Sequence, residues 1–131
     1  MDSAAKFELT STFVVLSPRH TAIPVAVTPT LYDELDRRFD RFKNHVLVSS
    51  FSFDSDWSSW EIHPAGDELV CLLSGEATLV CDRNGVEETV SLRVPGSFAI
   101  VPKGTWHTAR TSVPTTMLFV TPGEGTQNRS I

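Results

Sequence analysis

Cysteine is scarce in this chain, and the little there is forms no motif. Cys71 and Cys81 are the only two among 131 residues. Neither belongs to a Cys-x-x-Cys or zinc-finger spacing, so both are expected as free thiols on strands, although sequence alone leaves a disulfide between them open. Long apolar runs are also missing. The longest, at 69–73, is far short of the roughly 20 residues that a membrane helix needs. Positive charge does not predominate either: 11 Lys and Arg stand against 16 Asp and Glu, a net charge of -5. Such a balance offers no footprint for nucleic acid or an anionic membrane. The first residues, punctuated by Asp2, Lys6 and Glu8, lack the basic-then-apolar pattern of a signal peptide, so a cytoplasmic chain is expected and the Asn128-Arg129-Ser130 sequon reads as inconsequential. There is no phosphate loop, dinucleotide fingerprint or Ser-His-Asp order.

What remains is the material of one domain, with 40% apolar and 21% charged residues. Residues 1–45 read as an N-terminal arm and a helix that packs on a barrel, 46–122 as the barrel, and 123–131, rich in Gly and polar residues, as a loop or mobile tail. Within the arm, 13–16 is strand-like, while Pro18, Pro24 and Pro29 interrupt any longer element. Thr28-Pro29-Thr30 then opens a helix: Thr28 suits the N-cap, Pro29 the first turn, and Asp33 and Glu34 the positive end of the dipole. Leu31, Leu35, Phe39 and Phe42 recur at spacings of four, four and three, which gives an amphipathic helix with one packing face.

From Val46 the period becomes that of strands. Expected strands are 46–53, 57–63, 68–73, 77–81, 88–92, 98–101, 106–110 and 116–120, with Asn84-Gly85 marking a tight hairpin. Many short strands at close spacing indicate an all-β sandwich or barrel. Side chains alternate across a strand, so Glu61 and His63 share one face, while Trp60 and Ile62 take the other. A turn at 64–67 precedes Glu68, whose face also carries Val70 and Leu72. A carboxylate leading an apolar face is costly to bury without a cation or several hydrogen bonds. His107 follows downstream with Thr105 and Ala109 on its face. Glu61, His63, Glu68 and His107 are all metal-ligand types.

Here the residues resemble the cupin superfamily, whose motifs are usually written G-x5-H-x-H-x3-4-E-x6-G and G-x5-P-x-G-x2-H-x3-N. Glu61-x-His63-x4-Glu68-x6-Gly75 fits the first motif with Glu61 in place of its first His and Ser55 in place of its leading Gly. Gly96-x5-Pro102-x-Gly104-x2-His107 fits the second, with Thr111 for its final Asn. The resemblance covers about 56–111 and extends by flanking strands to 46–122. It implies a double-stranded β-helix, a jelly-roll cupin barrel, with the helix outside it. It also implies a divalent metal ion, Fe, Mn, Ni or Zn, held by His63, Glu68 and His107, with Glu61 at the remaining ligand position. His63, Glu68 and His107 alone would form a two-His, one-carboxylate set of the kind that binds Fe(II). Glu61 would then be a fourth ligand, a general base beside the ion, or a structural group paired with an arginine such as Arg110. Asp67 also satisfies the permitted spacing. Glu68 is preferred because its longer side chain reaches inward from the strand start, while Asp67 suits the turn.

Cupins include dioxygenases, isomerases, epimerases, decarboxylases, sugar-binding transcription factors and storage proteins, so the resemblance selects no reaction. The expected function is a metal-binding cupin, either an enzyme of dioxygenase or isomerase type or a non-catalytic binding, sensor or scaffold module. The expected partners are a small molecule and a second copy of the chain, the homodimer being implied by the resemblance and by outward Trp60 and Trp106. Trp57 is in phase with the ligand types and available to wall the mouth. Phe98, Ile100, Met117 and Phe119 are expected to line the barrel, and His20 and His45 to lie outside the site.

Overall fold

In the computed structural model, which describes residues 4–131, eleven strands form two facing antiparallel sheets. The strands are β1 (Thr12–Leu16), β2 (Ala22–Ala26), β3 (Val46–Phe53), β4 (Ser59–Ile62), β5 (Glu68–Ser74), β6 (Ala77–Arg83), β7 (Val86–Leu92), β8 (Phe98–Val101), β9 (Trp106–Arg110), β10 (Thr115–Thr121) and β11 (Gln127–Ser130), and the one α-helix among the described residues, α1, spans Leu31–Arg38. One sheet runs β2-β1-β3-β10-β5-β8 and the other β11-β4-β9-β6-β7. This is a jelly roll, as the spacing of short strands and turns predicts. Residues 1–3 of the expected arm, Asp2 among them, lie outside the described residues.

Two apolar clusters hold the layers together. The first fills the barrel from both sheets, with Leu72, Leu79 and Met117 at its centre and Val70, Val101 and Phe119 around them. The second joins α1 to β1 and β2. It contains the anticipated helix face, Leu31, Leu35, Phe39 and Phe42, packed on Phe13, Val15 and Val25. Burying each of those leucines stabilises the docking by about 2 kcal/mol.

The helix begins later and ends earlier than expected. Thr28 accepts a hydrogen bond from Leu31 N–H through its carbonyl, in a turn around Pro29, and Thr30 occupies the cap position without a side-chain bond. After Phe39 the chain enters a 3-10 turn, Asp40–Phe42, with Asp40, Arg41 and Phe42 all at positive φ. This turn carries Phe42 back onto the same cluster. β2 departs from the expectation that Pro24 breaks the element. As the edge strand of its sheet it has one side without a ladder, where a missing N–H is tolerated.

The expected loop or mobile tail also differs, because its residues Gln127–Ser130 pair with β4 as β11. Arg129 fixes that pairing. Its guanidinium lies 4.6 Å from the Trp106 ring centroid and 5.5 Å from that of Trp60, and it pairs with Asp82 at 3.2 Å. The outward tryptophans are thus covered by their own chain. Phe98 and Ile100 do not line the barrel: the register Glu68↔Val101 and Val70↔Ala99 turns Ala99 and Val101 inward and leaves Phe98 and Ile100 exposed, whereas Met117 and Phe119 are buried as expected. The Asn84-Gly85 hairpin forms with both residues at positive φ. Cys71 and Cys81 are free thiols on different sheets.

Candidate metal centre

The two sequence motifs are tied together by backbone before any side chain converges. Gly104 N–H donates to the His63 carbonyl at 3.1 Å, and Lys103 N–H donates to Asp67 Oδ1 at 2.8 Å. Asp67 is therefore occupied in joining the loops, and Glu68 is the carboxylate that turns inward, fully enclosed. β4 and β9 pair with Glu61 directly opposite His107. That register places both side chains on the inner face, and His63 follows just past the end of β4.

Glu61, His63 and His107 each offer a donor atom within 4.8 Å of the others, a group that could hold a metal ion. Glu68 bridges the two histidines, with Oε2 3.2 Å from His63 Nε2 and Oε1 3.0 Å from His107 Nε2. Although close, these atoms are misaligned for hydrogen bonding: His63 Nε2, His107 Nε2 and Glu68 Oε1 are buried without a hydrogen-bond partner. Buried polar atoms without partners are rare and call for an explanation. Donors about 2.1 Å from one ion and at right angles to each other are about 3.0 Å apart, so the separations suit a shared divalent cation. The residues present fit the ion that the sequence pattern implies.

The outer contacts orient each donor. His63 Nδ1 lies 2.9 Å from Thr126 Oγ1, whose hydroxyl donates to the Gly123 carbonyl at 2.9 Å. Thr126 thus accepts from His63 Nδ1–H. His107 Nδ1 donates to the Thr105 carbonyl at 3.1 Å. With both Nδ1 atoms protonated, the neutral imidazoles present Nε2 lone pairs to the centre, the tautomer a metal ligand requires. Thr121 Oγ1 donates to Glu68 Oε2 at 2.6 Å and fixes the carboxylate plane. Thr121 and Thr126 carry no sequence signal, since a threonine on a strand or in a polar tail is ordinary.

The four groups perturb one another's protonation. Burial pushes the Glu68 carboxyl up, but the His107 and His63 imidazoles beside it more than offset this and hold it at about 2. Burial lowers the His107 imidazole, and the Glu68 carboxylate overrides it and raises the group above its ordinary value. Glu61 is raised, first by burial and then by the negative charge of Glu68. Arg110 does not pair with Glu61. It lies exposed 4.0 Å from Glu87, so the arginine-paired alternative for Glu61 is excluded for that residue. His45 sits apart, bonded to the Lys43 carbonyl and packed on Phe39 and Phe42, while His20 is in an exposed turn.

The cluster opens into a chamber of about 1390 Å³ between the barrel and α1, with Glu61, His63 and Glu68 at its floor and Trp57 in its wall. No family model matches the sequence, and no curated protein does. Solved structures match it in shape. Recombinant oxalate oxidase in complex with glycolate aligns with a TM-score of 0.54 at 16% identity, over 63% of this chain and 45% of that one. A cupin-2 domain containing protein from Shewanella frigidimarina aligns with 0.50 at 17% identity, over 59% of this chain and 70% of that one. The chain has the cupin fold. A cupin superfamily protein from Desulfitobacterium hafniense is 32% identical over 58% of this chain, with a TM-score of 0.49; this chain spans 65% of that protein. Within the cupin barrel, Thr111 takes the place of the second motif's Asn and ties loops at the end of β9, its hydroxyl donating to the Glu76 carbonyl at 2.7 Å and its N–H to Asp56 at 3.0 Å.

Proposed function

We propose that this protein is a metal-dependent cupin enzyme acting on a small molecule, of dioxygenase or isomerase type, with a divalent ion held by Glu61, His63, Glu68 and His107. The observation that carries the reading is the convergence of three buried, partnerless donor atoms, His63 Nε2, His107 Nε2 and Glu68 Oε1, at the floor of an open chamber. A bound divalent ion would supply electrophilic polarisation and open coordination positions for substrate. Two carboxylates beside it favour a hard ion such as Mn(II) or Fe(II), with Ni(II) and Zn(II) as alternatives. Glu61 is less enclosed than its partners, which leaves its carboxylate within reach of a bound molecule as well as of the ion.

A non-catalytic sensor would use the same cluster, and the two carboxylates favour that second reading in one respect: they neutralise the ion and weaken its Lewis acidity. Turnover separates the two. Protein loaded with Fe(II) or Mn(II) and supplied with a bound organic ligand should consume oxygen or convert the ligand under argon, followed by an oxygen electrode and mass spectrometry. Stoichiometric binding with the ligand recovered unchanged would support the sensor.

We also propose a homodimer through the outer face of the six-stranded sheet, where Leu73, Phe98 and Ile100 are 43%, 60% and 51% exposed. Leu69, Cys71, Leu118 and Val120 share that face by register, and none of these residues is charged. A chargeless apolar patch is complementary to its own copy. Light scattering should give twice the chain mass for the wild type and the monomer mass for a Phe98→Asp, Ile100→Asp variant. A wild-type monomer at tens of micromolar would refute the interface.

A further inference from the structure

The chamber has an aromatic wall beside its carboxylates, and one ring of that wall, Phe51, stays half-exposed although Phe53 stacks on it and Trp57 meets it edge to face at 6.3 Å. Phe51 points to the inner side of β3, in phase with the buried Leu47 and Ser49, yet is 52% exposed. A ring on the inner face of a barrel is exposed only where the interior is open. One side of Phe51 stacks on Phe53, with centroids 5.5 Å apart and planes 17° from parallel. Phe53 meets Trp57 edge to face at 5.7 Å, and Trp57 meets Phe119 at 5.9 Å, so the four rings form one continuous surface beside the cluster. Across from it stands Tyr32, from α1, 68% exposed and lining the same chamber.

We propose that the chamber takes a small, flat aromatic molecule bearing a neutral hydroxyl, with its ring stacked on Phe51 and its hydroxyl directed at Glu61. This identifies the ligand class for the site and rests on the reading of the Glu61, His63, Glu68 and His107 cluster as the reactive end of the chamber. Shape selects the ring: an offset stack on an exposed phenyl face adds to what apolar burial alone supplies. Charge selects the head group. With the divalent ion bound, the two carboxylates of the floor cancel its charge, so an anion meets no net attraction there, and both Nδ1 atoms of the histidines are already engaged. The chamber's cations, Arg37 and Arg41, are exposed side chains of α1 and the turn after it, accompanied there by Asp33 and Asp36. A hydrogen-bond donor is therefore favoured over an anion.

Three probes of one skeleton separate these terms: 2-naphthol, its saturated counterpart decahydro-2-naphthol, and 2-naphthoate, each titrated calorimetrically into the manganese-loaded protein. Naphthol should bind about tenfold more tightly than either of the others. The saturated alcohol exposes more apolar surface, so equal or tighter binding of it would mean that burial alone acts and would overturn the aromatic selection. Preference for naphthoate would overturn the head-group assignment, and failure of all three probes would overturn the proposal as a whole. Phe51→Leu, at a half-exposed position that does not hold the core, should reduce the naphthol preference to about twofold while leaving manganese affinity unchanged. An undiminished preference in that variant would remove Phe51 as the platform. Titration of manganese alone reports the cluster separately, so selective naphthol binding without metal binding would sink the metal reading and leave the ligand class standing.

Discussion

His107→Ala should lose more than about 100-fold in divalent-metal affinity. The ring is fully buried, its Nδ1 is engaged by the Thr105 carbonyl, and its Nε2 faces Glu68 with no hydrogen bond of its own. Losing an outer contact of a ligand typically costs 10–100-fold, and losing the ligand itself costs more. Thr126→Val supplies the graded comparison. It removes the acceptor that orients His63 while retaining the side-chain volume, so about tenfold is expected. His45→Ala, bonded and packed away from the cluster, should leave affinity at the wild-type value. Calorimetric titration with Mn(II) reads all three. Wild-type affinity in His107→Ala would show that the ion sits elsewhere, and equal losses in all three would indicate general destabilisation.

The largest stability effect is expected at Gly75, the glycine that closes the first motif. It has φ +78, a region L side chains rarely adopt, and a Cβ there would press on the Pro114 carbonyl oxygen and come within 2.7 Å of Thr115 Oγ1 and 2.8 Å of Thr115 Cα. Two of these three contacts are backbone, so relaxation means moving the start of β10. Backbone strain and overpacking together should cost Gly75→Ala about 3 kcal/mol, a fall of roughly 10 °C in Tm for a chain of this size. Gly85→Ala isolates the two terms. Gly85 has φ +86 but nothing within 4 Å of a built Cβ, so only the conformational cost of about 1 kcal/mol applies. Thermal unfolding by circular dichroism measures the pair. Equal losses at the two positions would mean that the contact with 114–115 relaxes freely.

The parts of the fold legible in the sequence were those with a period or a special backbone angle. The helix face at Leu31, Leu35, Phe39 and Phe42, the Asn84-Gly85 hairpin and the inward Glu61, Glu68 and His107 all follow from spacing, and the structure brings them where spacing puts them. Phe98 and Ile100 were misplaced because β8 is apolar on both faces, so alternation sets no phase, and the register against β5 decides it. β11 was illegible for the opposite reason. All four of its residues are polar and exposed, and what holds it is a guanidinium over Trp60 and Trp106, residues distant in sequence. The missed support of the site comes from the same region: Thr126 reaches His63 across 63 positions and Thr121 reaches Glu68 across 53. Contacts of that range leave no local pattern. Asp67 and Glu68 were indistinguishable by motif spacing and are told apart by the backbone N–H of Lys103, which claims Asp67.

Everything proposed for the site requires Glu61, His63, Glu68 and His107 to surround one divalent ion. Anomalous diffraction from a crystal soaked in Mn(II) tests it most directly. A single peak is expected, bounded by His63 Nε2, His107 Nε2 and carboxylate oxygens of Glu68 and Glu61, about 2.0 to 2.3 Å from each; a soaked crystal with no peak among these four side chains, or with its peak at another site, would contradict a shared ion.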